Sequence, residues 1–460
     1  MTSLRERLRA RLRRFFDAEL RDLATNTGLM WAATASKSVV GLAQVVLVTR
    51  ILGRGAFGQL ALVTAVTDVI TLVLAVRVWE WVTKFLAEAR AAKNGELAGA
   101  VVRLGYGASA AVNSLACVLL LAFADVIAAR ALDTPALAPA IRLYALTLLA
   151  TWVQDTAGAT LRSLGAFRFL ALFGIGSSLF RFALVLVPLL LGYGLVGLVG
   201  AYVVTEVVLS AAMLLATRRA LVREFGDALA RGTLATLKPR APEIRRLLGY
   251  SFGIDTVKAL ASQAAVLLLG VFRGADEVGL FRLAHHFIDL ANRLAAGLFQ
   301  AAFASLARLA AERRFADVRR VVRRSSLAVA VVLLPGCAAA SLLAPWLVDM
   351  VSGPEYADAA PVLAAYVWYL VWILTFWSAP LCVSIGRPRW AFELVLASSA
   401  VRLAVMIPAV LAWGAVGAAV AEAIHGVAYV ILSLAYHARA TRHMRALEQA
   451  PDRPTLEASA

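Results

Sequence analysis

KSVVGLAQVVLVTRILGRGAFGQLALVTAVTD (37–68) and KALASQAAVLLLGVFRGADEVGLFRLAHHFID (258–289) are one pattern written twice, 221 positions apart. Each opens on a lysine, runs through an apolar stretch to a turn of arginine and glycine, and closes on an aspartate inside a second apolar stretch. Lys37 falls on Lys258, Gly53 on Gly274, Gly58 on Gly279 and Asp68 on Asp289. Outward from there, Arg103 falls on Arg324, Gly165 on Gly386, Arg168 on Arg389, Ser177-Ser178 on Ser398-Ser399 and Arg181 on Arg402. After a one-residue slip, Gly194 and Gly197 match Gly414 and Gly417. A fixed period dictates architecture, and here it is half the chain, so the expected molecule is a duplicated, two-lobe one. Lys37, Asp68 and Arg181 stand inside apolar runs, where a charge costs about 2.5–3.5 kcal/mol on insertion scales. Duplicated charges in such places point to a site between the lobes.

Of 460 residues, 61% are hydrophobic and only 16% charged, with mean hydropathy +0.77. A soluble domain cannot hide that much apolar surface, which makes the chain an all-α polytopic membrane protein. A spanning helix needs about 20 apolar residues, and twelve such spans are expected: 29–49, 59–82, 98–123, 138–161, 169–191, 195–216, 248–270, 279–304, 325–347, 360–383, 391–412 and 415–436. This divides the chain into an N-terminal segment (1–28), a first lobe (29–216), a linker (217–247), a second lobe (248–437) and a tail (438–460). Six spans per repeat return the second copy in the same orientation. The lobes are then parallel, with a pseudo-two-fold axis along the membrane normal.

The net charge of +17 sets topology. The N-terminus, the even-numbered loops, the linker and the tail hold 33 of the 46 lysines and arginines, whereas the odd-numbered loops hold four: Arg50, Arg54, Arg130 and Arg273. By the positive-inside rule both termini and the linker are cytoplasmic, as expected for the inner membrane of a bacterium or archaeon, and no nucleic-acid partner is implied. Cys117, Cys337 and Cys382 each sit in a separate span with no metal-ligand or disulfide spacing. No metal or cofactor is expected. Residues 3–23 carry Leu4, Leu8, Leu12, Phe15, Phe16, Leu20 and Leu23 opposite a comb of arginines. They read as an amphipathic helix on the anionic inner leaflet, or as a basic tail that only fixes topology.

Parallel repeats are the build of carriers, which expose one site to two sides in turn. The longest external loop, around 124–137, is too short for a catalytic domain. DxD, Walker A and HExxH patterns are all missing from the sequence. The expected protein is therefore a transporter, not an enzyme.

The segment VVLVTRILGRGAFGQLALVTAV (45–66), with Arg50, Leu52-Gly53 and Phe57-Gly58, resembles the signature of the oligosaccharide flippase (polysaccharide transporter) family. That family shares a superfamily with multidrug and toxin extrusion carriers and lipid II flippases. TLRSLGAFRFLALFGI (160–175) is similar to its loop between spans 4 and 5, LGYGLVGLVGAYVV (191–204) to its hairpin between spans 5 and 6, and SGPEYADAAPVL (352–363) to its approach to span 10. The likeness covers about residues 25–437. It implies a MATE/flippase-like carrier that moves a polyprenyl-pyrophosphate-linked oligosaccharide, a repeat unit of O-antigen or exopolysaccharide, from the inner to the outer leaflet. Membrane lipids and a polysaccharide polymerase are the implied neighbours. Two features separate the chain from relatives with similar outlines. Lipid II flippases carry two further spans, and the basic loop of the major facilitator superfamily is replaced here by EARAAKNGE (88–96).

A lipid pyrophosphate crossing hydrocarbon needs fixed cations in place of its lost hydration, and arginine suits phosphate because its fork donates bidentately. The candidates are Lys37 and Lys258 at matched positions, Arg181 and Arg402 likewise, and Arg77, Arg142, Arg282 and Arg293, with Gln44 two turns from Lys37 on one face. The alternative for each is a structural cation neutralised by a nearby acid. Asp68, Asp289, Glu206 and Glu422 are candidates for binding a coupling ion, because a carboxylate in a semi-dry cavity takes up a proton readily; a salt bridge is the alternative. On span 10, Tyr366, Tyr369 and Phe376 share a helix side and are candidates for stacking on sugar rings; lipid-facing packing is the alternative. Two other functions remain open at this point: a cation-coupled drug or metabolite antiporter of the same superfamily, and a membrane glycosyltransferase.

Overall fold

The computed structural model describes the backbone of residues 4–74, 78–241 and 263–449, and within these the side chains from residue 33 to 446, excepting Ala35, Glu80, Pro239, Leu294, most of 296–307, Ala311 and Pro388. Among the described residues every regular element is a helix. In chain order these are α1 (Leu4–Leu74), α2 (Val78–Ala91), α3 (Gly95–Val126), α4 (Ala138–Ala145), α5 (Leu148–Ser163), α6 (Phe167–Leu190), α7 (Gly194–Phe225) and α8 (Ala228–Arg231). Then follow α9 (Gln263–Phe272), α10 (Ala275–Ala311), α11 (Phe315–Leu342), α12 (Ala344–Ser352), α13 (Ala359–Tyr366), α14 (Ser378–Ser384) and α15 (Pro388–Gln449). Seven described helices are long and apolar enough to cross a membrane, and an eighth results if α4 and α5, bent by 43°, form one span.

Two of those seven are too long to be single crossings. A straight 71-residue α1 would reach about 107 Å, some three times the hydrocarbon thickness. It is broken at Gly53 (φ 75°, ψ 171°), and the 62-residue α15 is broken at Gly414 (φ 57°, ψ −131°). Both conformations favour glycine because a Cβ would clash with the backbone. The duplication is visible in these turns. Gly53 and its repeat mate Gly274 have φ of 75° and 89°, Gly165 and Gly386 have 77° and 75°, and Gly194 and Gly414 have 59° and 57°.

The chain packs as two units, Met1–Leu52 with Val66–Val257, and Gly53–Ala65 with Lys258–Ala460. In the first, α2, α3, α5 and α7 close around Val82, Phe85, Leu86, Ala98, Val101, Ala159 and Leu221. Asn94 caps α3 by accepting from the Leu97 amide at 2.9 Å. The segment expected to be a free linker is built into this core. Helix α7 carries the chain on to Phe225, and beyond it Leu237 is buried in the same cluster. A Cβ on Gly99 would lie 2.2 Å from the Leu229 carbonyl oxygen. Arg103 donates to the carbonyls of Leu229 (3.0 Å), Ala230 (2.8 Å) and Gly232. These carbonyls end the short α8, where a cation is favoured, so Arg103 clamps the linker instead of reaching for water.

In the second unit the starts of two helical legs cross in backbone contact. A Cβ on Gly58 would lie 1.7 Å from the Ala275 oxygen, and one on Gly279 would lie 2.3 Å from the Arg54 oxygen. Each chain reversal is capped by a glutamate from elsewhere in the unit. The Arg54 amide donates to Glu355 Oε1 (3.1 Å), and the Ala415 amide to Glu277 Oε2 (2.7 Å). Arg273 completes the second reversal by donating to the Val410 and Leu411 carbonyls (3.1 and 2.6 Å). Beside the first, Arg54 pairs with Asp358 at 3.1 Å. Outward-pointing Val331, Val332 and Leu342 on α11 are 74–82% exposed, the surface that acyl chains cover.

Candidate functional site

Each unit holds a polar cluster built around one arginine–glutamate pair. In the first, Arg181 stands mid-way along α6 and pairs with Glu206 of α7. Gln154 of α5 donates to the same carboxylate at 2.6 Å and to Ser210 Oγ at 3.3 Å. One turn before Glu206, Tyr202 accepts from Gln44 Nε2 of α1 at 2.9 Å. Its ring meets Tyr144 of α4 edge-on at 6.3 Å. Asp68 of α1 lies close enough to act on the Tyr144 hydroxyl electrostatically. Lys37 runs along α6 at Gly174, where a Cβ would lie 2.3 Å from its Nζ. Four expected residues of this lobe, Arg181, Glu206, Gln44 and Asp68, thus converge on one cluster.

The second cluster is drier. Arg402 and Glu422, both on α15, pair with side chains only 11% and 3% exposed, and His425 adds its ring 3.8 Å from the same carboxylate. Removing one member of such a pair strands a charge and costs about 3–5 kcal/mol. The arginines of the two clusters are repeat mates, but the acids are not. Through the local offset of 220, Glu206 aligns with Gly426 and Glu422 with Tyr202, one helical turn away.

Span 10 differs in geometry from its sequence reading. Residues Val367–Thr375 form a 3-10 segment between α13 and α14. Its three-residue period lines Tyr366, Tyr369 and Trp372 in a row and turns Phe376 away. Tyr366 hydrogen-bonds His285 Nδ1 at 2.9 Å and stacks on Phe281, Tyr369 meets His425, and Trp372 donates to Asn292 at 3.2 Å. Phe376 lies in an apolar cluster with Val322, Trp377 and Leu381. Of the three aromatics expected to stack on sugars, Tyr366 and Phe376 are therefore buried packing residues, and only Tyr369 is partly open.

Several cations expected to meet the pyrophosphate are engaged with acids. Arg142 pairs with Asp125 at the exposed turn between α3 and α4. Arg293 pairs with Asp289 one turn back on α10 (2.8 Å), both about half exposed. Arg181 and Arg402 are neutralised by their glutamates. Arg77 and Lys258 lie outside the described residues. Arg282 is different: half-buried on α10, within electrostatic reach of His285 and His286, it makes neither an ion pair nor a hydrogen bond among the described residues.

Tyr144, Gln154 and Tyr202 take part in the first cluster without having been singled out. The available signal was the hydroxyl or amide itself: a tyrosine far from a span's end has no headgroup to meet, so its hydroxyl must find a partner inside.

The profile of the polysaccharide biosynthesis protein family matches residues 23–310. No curated protein matches the chain in sequence. Among solved structures, the fold is similar to an inward-facing MATE family multidrug transporter of the MOP superfamily (TM-score 0.71, 16% identity, covering 89% of this chain and 96% of that one). It is equally similar to the lipid II flippase MurJ in an inward closed conformation (TM-score 0.71, 13% identity, 92% and 94%). A MOP superfamily transporter from Pyrococcus furiosus described as having reversed pocket polarity follows (TM-score 0.64, 15% identity, 93% and 96%). The chain belongs to the polysaccharide biosynthesis protein family and has the multi-pass membrane fold of the flippases and transporters of the MOP superfamily.

Proposed function

We propose that this protein is a flippase that moves a polyprenyl-pyrophosphate-linked oligosaccharide from the inner to the outer leaflet of a bacterial or archaeal cell membrane by alternating access, coupled to an ion gradient or the membrane potential. Arg282 carries the reading: a half-buried guanidinium that no carboxylate neutralises among the described residues, in a chain of the polysaccharide biosynthesis family. Its five donors suit a pyrophosphate and repel a cation. Lys37, Arg293, Lys258 and Arg77 are the further cations expected to meet the head group. Arg181 and Arg402 join only when Glu206 or Glu422 takes up a proton and releases its arginine, which is how an ion gradient would drive the cycle. Asp68 and Asp289 serve as further proton acceptors.

The deciding experiment measures transfer of a fluorescent polyprenyl-pyrophosphate oligosaccharide across vesicles containing the purified protein. Transfer should depend on the protein and fall at least about tenfold in Arg282→Gln, the loss of one charge-assisted phosphate contact. Transfer equal to that of empty vesicles overturns the proposal. The carboxylates sunk in both clusters favour one second reading, a cation antiporter. Expression that raises resistance to cationic dyes would support it.

A further inference from the structure

We propose that the end of the second unit formed by the α14–α15 turn and the last turns of α15 is a binding site for the phosphate of an anionic glycerophospholipid of the inner leaflet. The indole of Trp390 is flanked by two guanidiniums, Arg387 at 5.7 Å and Arg439 at 5.2 Å from its ring. Arg439 also lies 5.4 Å from the ring of Tyr436, and His443 meets Trp390 edge-on. Stacking occupies the face of a guanidinium and leaves its hydrogen-bonding edge free and oriented.

Neither Arg387 nor Arg439 side chain makes an ion pair or hydrogen bond among the described residues. Glu393, beside them, is already engaged: it accepts from Arg389 Nε (2.9 Å) and from the Tyr436 hydroxyl (3.1 Å). Two like charges are thus held around one ring with no counter-ion among the described residues, and Arg442 and Arg445 follow on exposed positions of α15. A phosphate diester carries the missing charge and accepts bidentately. The positive-inside rule places this end at the cytoplasmic leaflet, where anionic headgroups meet basic clusters at helix ends. The inference is independent of the transported substrate, because none of these residues belongs to the two mid-helix clusters.

Native mass spectrometry of the delipidated full-length protein, titrated with phosphatidylglycerol or phosphatidylcholine, tests it. Arg387→Gln/Arg439→Gln should weaken phosphatidylglycerol binding about thirtyfold, at roughly one near-surface charge interaction lost per arginine, and leave phosphatidylcholine binding unchanged. Arg387→Lys/Arg439→Lys, which keeps charge but loses the planar fork, should fall between; it carries the test if the glutamine pair does not fold. Equal phosphatidylglycerol binding by the wild type and the charge-removing pair overturns the site. Displacement of the lipid by millimolar inorganic phosphate overturns the assignment to a lipid and makes it a soluble-anion site.

Discussion

Arginine decides the chemistry of this protein, and its arginines are not equivalent. Arg282 has no acid partner among the described residues, so Arg282→Gln should remove transport while leaving the melting temperature in detergent nearly unchanged. Arg402 is the opposite case. Glu422→Ala strands it in a site where its side chain is 11% exposed, and the expected cost is about 3–5 kcal/mol, read as a lower melting temperature. The double variant Arg402→Met/Glu422→Ala should recover most of that loss, a coupling that a double-mutant cycle measures directly. The first unit's pair is softer. Arg181 is 39% exposed, and solvent screening reduces the effect of Glu206→Ala to about 1 kcal/mol or less. Sequence located these four residues inside apolar runs but could not pair them, because the partners come from separate helices (Arg181 and Glu206) or from the two legs of α15 on either side of Gly414 (Arg402 and Glu422), and the acids do not align between the repeats.

At the scale of elements, glycine geometry makes the sharpest expectations. Gly53 has a backbone conformation close to glycine-only, and a Cβ there would lie 2.9 Å from Glu355 Oε1. Gly53→Ala should therefore cost about 1–3 kcal/mol, whereas Gly107→Ala, with open space around it, should be neutral or stabilising. Gly99→Leu should push the linker off α3. Limited proteolysis should cut within 226–241 slowly in the wild type and quickly in that variant; unchanged cutting would show that Arg103 alone holds the strap. The turns and breaks were legible because glycine and the repeat mark them. The 3-10 stretch was not: VWYLVWILT is apolar on every side, so no periodicity distinguishes three residues per turn from 3.6, and Phe376 was assigned to a face it does not share. The packing of the linker was not legible for a related reason. Its docking depends on the missing Cβ of Gly95 and Gly99, and an absent side chain leaves no hydrophobic signature.

For the whole molecule, composition and repetition were enough to establish a multi-pass helical membrane fold. Length and hydropathy alone find seven or eight crossings among the described residues, because α1 and α15 each fuse two legs and the polar stripe of α10 lowers its hydropathy. The residues that mark α10 as functional also disguise it as a span. Charge bias gives a test at this scale: alkaline phosphatase fused after Asp133 should be active outside the membrane, and a fluorescent protein fused after Arg231 or Arg313 should mature inside. Inactive phosphatase at Asp133 would reverse the assigned orientation. The duplicated arginine also bears on ancestry. Arg181 and Arg402 descend from one residue, yet their counter-ions arose at different positions of the matching helix. The position of the cation is therefore what the two halves hold in common, and the position of the acid that masks it is what each half holds as its own.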